Sequence, residues 1–142
     1  MTTPPPWAAE GGQQTHAIAK NDDVVRARQL ARTLAQESKL SLVDQTKFIT
    51  AASELARNTM VYGGGGELRA GLVRRNGRLG VAAVFDDTGP GIADVDLAMT
   101  DGWTSGLGLG LGLSGARRLV DEFLLDTEPG RGTTVTIIKW AR

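Results

Sequence analysis

"ELRAGLVRRNGRLGVAAVF", residues 67–85, is the stretch that decides the fold. Two apolar runs, ELRAGLV (67–73) and LGVAAVF (79–85), flank RRNGR at 74–78. Asn76-Gly77 is the strongest short-range hairpin signal a sequence offers, because both residues tolerate the positive φ of a tight turn that suits strand twist. The two runs are therefore expected to be antiparallel neighbours in a sheet.

Working outward, NDDVVRARQLARTLAQES (21–38) places Val24, Ala27, Leu30, Ala31 and Leu34 on one helical face, behind Asn21 or Asp22 as N-cap. A second helix starts at SLVD (41–44), where Ser41 and Asp44 have the spacing of a capping box. It runs through Ala52, Leu55 and Ala56 and stops at Tyr62, before four glycines. THAIAK (15–20) fits a short edge strand. The proline- and glycine-rich residues 1–14 are expected to form a disordered tail ahead of a single domain spanning 15–142.

Downstream, residues 86–112 are rich in glycine and hold one short apolar piece, ADVDLAM (93–99). SGARRLVDEF (114–123) reads as a helix, LLDTE (124–128) as a strand, and GTTVTIIKW (132–140) as a β-branched, alternating strand. The order β-α-α-β-β-loop-α-β-β predicts an α+β two-layer sandwich, with a mixed, mainly antiparallel sheet and its helices on one face. A loop of about 25 residues between strand and helix exceeds ordinary connection lengths and points to function or disorder.

Composition narrows the function classes. The chain has 142 residues, with 16 basic and 16 acidic side chains and no formal net charge. That balance gives no large electrostatic footprint for nucleic acid or an anionic membrane and leaves room only for a local basic patch. Absence of cysteine removes disulfides and thiolate chemistry. With no apolar signal-peptide core and no membrane-length apolar run, a soluble cytoplasmic protein is expected.

Three separated segments carry chemistry. In ELARN, Glu54 and Asn58 lie four residues apart on one helix face. A carboxamide oxygen is a hard ligand suited to Mg²⁺, and a nearby carboxylate can accept a proton from an attacking hydroxyl; an isolated pair of this kind is also an ordinary polar stripe. In DDTGPGI (86–92), an inward Asp87 would accept a hydrogen bond from an exocyclic amine such as that of adenine, with Gly89 and Gly91 allowing a flat base to come close. The same residues also make plain turns. In GLGLGLGL (106–113), glycine replaces the polar half of a strand pattern, so a mobile loop is a better use of it than a strand. Successive glycine N–H groups leading into a helix can cradle phosphate. No G-x-x-x-x-G-K-[ST] occurs, and the G-x-G-x-x-G at Gly110, Gly112 and Gly115 lacks the preceding strand that a dinucleotide fold requires.

Taken in order, ELARN, DDTGPG, GLGLGLG and GRGTT (130–134) resemble the N, G1, G2 and G3 boxes of the GHKL ATP-binding superfamily, whose α/β sandwich is called the Bergerat fold. Within it, SELARN, DDTGPGI, DGWTSGLGLGLGLSGARRLVDEF and GRGTTVTIIKW are similar to the anti-sigma-factor serine/threonine kinases of the RsbT-like switch type, over roughly residues 20–140. The resemblance implies ATP and Mg²⁺ as cofactors, with Asn58 holding the metal and Glu54 acting as base. It implies that Asp87 recognises adenine, helped by Gly91 and Thr133, and that Gly108, Gly110 and Gly112 belong to a lid over the triphosphate. Val61 stands where many relatives place a cation, which leaves Arg57, Arg117 and Arg118 as alternatives, and the glycine–leucine run is one repeat longer than usual.

Further domains are needed by the gyrase, chaperone and mismatch-repair members, and a phosphoacceptor histidine by the autokinases; the one histidine here, His16, sits in an expected edge strand. Phosphoryl transfer to a hydroxyl asks mainly for positioning, Mg²⁺ and a proton acceptor. The resemblance makes the acceptor a serine or threonine of a STAS-domain antagonist protein, with a downstream phosphatase as a further partner. The alternative is a nucleotide-gated binding protein with little catalysis. Glu54 favours the kinase, because binding alone needs no base.

Overall fold

A computed structural model of the chain describes the backbone of residues 9–100 and 112–142, with side chains from Gln13 onward. The elements are β1 (Ala9–Ile18), α1 (Asn21–Glu37), α2 (Leu42–Val61), β2 (Gly66–Arg75), β3 (Arg78–Asp87), α3 (Val95–Ala98), α4 (Gly112–Arg118), β4 (Glu122–Glu128) and β5 (Gly132–Trp140). The hairpin is the expected one. Asn76 and Gly77 take φ of 53° and 80°, and β2 pairs with β3 from Arg75↔Arg78 to Gly66↔Asp87.

The sheet order is β1-β2-β3-β5-β4, and among the described residues every pair is antiparallel, without the expected parallel admixture. The reason lies in the route after β3. The chain leaves β3 at Asp87, crosses the helical face through α3 and α4, and enters the sheet at its edge as β4; β5 then fills the place beside β3. This brings the end of β3 and the start of β5 together, with Asp87 opposite Thr133.

Alternation along the strands sorts the faces. Leu68, Ala70, Val81, Ala83, Phe85, Val135 and Ile137 point to one side and form a core with Leu30, Leu34, Phe48, Ala52 and Leu55 of α1 and α2. Phe48 is fully buried, and burial of such a ring contributes about 2–3 kcal/mol. On the other side Val73, Ala82, Ile138 and Trp140 make a smaller cluster. There the Arg75 guanidinium lies 4.9 Å from the Trp140 ring centre, and both side chains donate to Glu122, at 2.8 and 2.7 Å.

Three boundaries differ from expectation. Strand β1 begins at Ala9, so within the segment placed in a tail by composition Ala9, Glu10, Gln13 and Gln14 pair with β2 instead, with a break in register between Glu10 and Gln13. Helix α1 is capped not by Asn21 or Asp22 but by Lys20, and Asp23 reaches back to accept from the Ala19 and Lys20 amides at 2.9 and 3.2 Å. The Ala19 amide and the Arg26 guanidinium hold the Asp23 carboxyl below its ordinary value. Helix α4 ends at Arg118, and Glu122 and Phe123 belong to β4 rather than to the helix. Ser41 caps α2 as expected, accepting from the Asp44 amide at 3.1 Å.

Candidate functional site

A cavity of about 420 Å³ opens between α2, the β3–α3 connection, α4 and the start of β5. Glu54 and Asn58 enter from α2, Asp87 from the end of β3, Gly91 from the connection, Gly112 from α4 and Thr133 from β5. Phe85, Val135, Leu55, Ile92, Leu97 and Leu113 supply apolar wall. Residues scattered over 80 positions of sequence thus meet in one hollow, with polar groups few and fixed on an apolar lining, as small-molecule sites usually are.

The centre of the arrangement is Asp87. Strand alternation turns it toward the cavity, while Asp86, its neighbour, faces the opposite side and accepts from the Thr134 hydroxyl at 2.7 Å. Asp87 Oδ1 accepts from the Gly89 amide at 2.9 Å and from the Thr133 amide at 3.3 Å. Oδ2 makes no hydrogen bond among the described residues. Burial pushes the carboxyl above its ordinary value of 3.8, the two amides oppose that shift, and Asp86 adds repulsion. A carboxylate held by one oxygen, with the other turned free in a partly dry hollow, is an acceptor waiting for a donor.

Two glycines make this possible. A Cβ on Gly63 would stand 2.5 Å from the Asp87 carboxyl, so only glycine lets the α2 exit lie against it. Gly91 has φ of 74°, and a Cβ there would meet the Glu128 carbonyl at 2.2 Å. Gly89 does not line the cavity as a platform for a base; it stands behind Asp87 against Gly63 and orients the carboxylate through its N–H.

The floor is stitched to the β4–β5 turn. Gly130 N–H donates to the Pro90 carbonyl at 2.7 Å, Ile92 N–H donates to Thr127 Oγ1 at 2.9 Å, and the Thr127 and Thr133 hydroxyls are 2.8 Å apart. Gly63, Thr127 and Thr59 carry no functional signal in the sequence, and Tyr62 marks only the end of a helix there. The four-glycine run was read only as a helix stop, and nothing local marks Thr127 as anything but a strand residue.

Glu54 and Asn58, one turn apart on α2, both half-buried, present a carboxylate and a carboxamide to the same hollow. That oxygen donor set suits a hard divalent cation that keeps waters and is completed by phosphate. Among the described residues no lysine or arginine lines the cavity: Arg57 lies on α2 beside Asn58 without reaching it, and Arg117 and Arg118 are exposed on the last turn of α4. Gly108 and Gly110 of the expected lid lie outside the described residues.

The family model of histidine kinase-, DNA gyrase B- and HSP90-like ATPases matches residues 43–141, which include every part of this cavity. The serine/threonine-protein kinase RsbT of Bacillus subtilis (strain 168) is 45% identical over 120 residues, covering 84% of this chain and 90% of that protein. Among solved structures, the RsbU and RsbW domains of a Mycobacterium tuberculosis protein align over 92% of this chain with a TM-score of 0.62 at 19% identity, a likeness of fold. This chain spans 33% of that one.

Proposed function

Because the chain belongs to the histidine kinase-, DNA gyrase B- and HSP90-like ATPase family, and to the RsbT family within it, we propose that it is an ATP-dependent serine/threonine kinase acting on a STAS-domain protein in a sigma-factor switch. One observation carries the reading: the cavity gathers an amine acceptor, Asp87, with a proton acceptor, Glu54, and a metal-type ligand, Asn58.

In this reading Asp87 Oδ2 accepts from the adenine amine, and Gly91 and Thr133 line the space for the base. Asn58 would hold Mg²⁺, which would supply positive charge for the phosphates. The glycine–leucine run, including Gly108, Gly110 and Gly112, supplies backbone N–H groups to the triphosphate. Glu54 takes the proton from the acceptor hydroxyl as its oxygen bonds to the γ-phosphorus. The bond from that phosphorus to the bridging oxygen breaks, and ADP leaves.

A phosphatase that the protein activates when released from the STAS partner is proposed as a second regulatory partner. No helix among the described residues is long and apolar enough to cross a membrane.

The test is phosphoryl transfer from labelled Mg-ATP to a cognate STAS-domain protein. Glu54→Gln keeps size and hydrogen bonding but removes the proton acceptor, so transfer should fall by about a hundred- to ten-thousandfold with nucleotide affinity little changed. Asn58→Ala should instead weaken Mg-ATP binding. Transfer by Glu54→Gln at the wild-type rate would remove Glu54 as base. A wild type that binds its STAS partner only with ATP but transfers nothing would leave the nucleotide-gated binding protein as the function.

A further inference from the structure

The nucleotide cavity occupies one end of the sheet. Strand β3 runs from Asp87 there to Arg78 at the other, a span of roughly 30 Å at about 3.3 Å per residue. At that far end lies a second cleft of about 490 Å³, and four cations line it: Lys39, Arg74, Arg78 and Arg142. They come from four separate places, the α1–α2 turn, the end of β2, the start of β3 and the residues after β5. Among the described residues no carboxylate side chain lines the cleft. The RRNGR motif contributes two of the four, and neither the hairpin nor the kinase reading uses their charge.

Of the four, Lys39 and Arg78 keep their charge uncancelled among the described residues. Arg142 is held by Asp121 at 2.6 Å and by Asp44 at 3.7 Å, and Lys139, buried beneath, sits between the same two aspartates at 3.6 and 3.7 Å. Arg75 is paired with Glu122 at 2.8 Å. Arg74 Nη1 donates to the Gly77 carbonyl at 3.1 Å, which fixes its guanidinium at the rim. Lys39 and Arg78 are exposed and make no ion pair among the described residues. The chain as a whole is neutral, so this excess is a local one.

A second feature follows Lys39 along the chain, at the start of α2. Leu42 and Val43, three and four residues beyond Lys39, are 78% and 64% exposed, the most exposed large aliphatic side chains described. Simple anions would have no use for them. Nucleic acid fits poorly as well, since tight phosphate tracking uses roughly six to ten cations and four line this cleft among the described residues. Guanidinium groups that accept carboxylates in bidentate fashion, beside aliphatic side chains left in water, match a protein surface.

We propose that this cleft, with Leu42 and Val43, is a second docking surface whose occupant is an acidic segment of a partner protein that carries apolar side chains among its carboxylates. Lying at the opposite end of the sheet from the nucleotide, it can hold that partner whether or not the cavity is filled. The proposal is independent of the kinase reading.

The probe is a fluorescent 14-residue peptide of alternating Glu-Leu and Glu-Ser pairs, titrated with the full chain and followed by anisotropy at low salt. Saturable binding is expected, weakened at least tenfold when every Glu of the peptide is replaced by Gln. Lys39→Glu combined with Arg78→Glu should also weaken it at least tenfold. Leu42→Ser with Val43→Ser should weaken it several-fold, while the ATP affinity of both double variants stays at the wild-type value and certifies their fold. Equal binding of the Gln peptide, or by the charge-reversed variant, overturns the proposal. So does equal competition by inorganic phosphate or a single-stranded oligonucleotide, which would make the cleft a general anion site. Wild-type self-association in sedimentation that the charge reversal abolishes would make the occupant a second copy of the chain and would overturn it too.

Discussion

Replacing Asp87 by Asn separates recognition from folding at a single atom. In the wild type, Oδ1 is engaged by the Gly89 and Thr133 amides at 2.9 and 3.3 Å. Asparagine keeps an oxygen there, so both bonds survive with the amide group on the Gly63 side. That group is a donor, and the adenine amine is also a donor. One charged hydrogen bond is lost, worth about 1.5–3 kcal/mol, which converts to roughly a ten- to hundredfold rise in the dissociation constant for ATP. Stability moves the other way. Because burial raises the Asp87 carboxyl above its ordinary value, the ionised group is a liability in the nucleotide-free protein, and the neutral amide relieves it. Calorimetry with a non-hydrolysable ATP analogue and a melting curve without nucleotide read the two effects. Affinity should fall while the melting temperature holds or rises. Inorganic tripolyphosphate, which has no base, should bind wild type and variant alike. Equal ATP affinity would remove Asp87 from adenine recognition, and a loss of affinity accompanied by a lower melting temperature would mean the substitution damages the fold instead.

Three further outcomes follow from the geometry. The raised Asp87 value stabilises the free protein fully below pH 3.8, a contribution lost as pH rises through the higher folded value; ATP affinity should show the opposite sense, falling as pH drops through that value, and the fall should vanish in Asp87→Asn when binding is measured across pH. Gly91→Ala forces a left-handed backbone on alanine and drives its Cβ against the Glu128 carbonyl, so thermal denaturation should show a loss of at least about 1–2 kcal/mol, together with weaker nucleotide binding; an unchanged melting temperature would contradict the close approach. Ser41→Ala deletes the α2 cap and should cost about 1 kcal/mol, lowering the melting temperature by roughly 3–5 °C while leaving the ATP dissociation constant alone.

What could be read from the sequence was whatever local chemistry forces. Asn76-Gly77 forces a turn, Ser41 caps a helix wherever its neighbours are helical, and the apolar faces of α1 and α2 bury as their spacing dictates. Where two local answers were equally good, packing decided. The apolar spacing of 114–123 fits a helix, but the helix ends at Arg118, and pairing of Phe123 with Ile137 drew Glu122 and Phe123 into β4. The 9–14 segment has the composition of a tail, but the β2 edge offered it unpaired backbone groups, and Gln13 and Gln14 pair with Gly71 and Ala70. Of the cavity lining, Glu54, Asn58, Asp87, Gly91, Gly112 and Thr133 stand out in the sequence because each sits in a motif. Gly63 and Thr127 do not, since their importance depends on what lies across from them: a carboxyl from β3, and a loop amide 35 residues upstream.

Asp86 and Asp87 are adjacent and chemically identical, and they look out from opposite faces of the same strand. Sliding β3 by one residue against its partners would exchange them, burying the wrong carboxylate and turning the right one away. A bound nucleotide can tell those two molecules apart. At a ligand concentration about a hundred times the dissociation constant, binding favours the aligned sheet by roughly 2.7 kcal/mol over any slipped form that does not bind. With Asp87 in its proposed role, the nucleotide would therefore proofread the protein where it is abundant: a chain whose strands have threaded one notch out of step would lose the ligand, and the correctly threaded chain would be held in place by it.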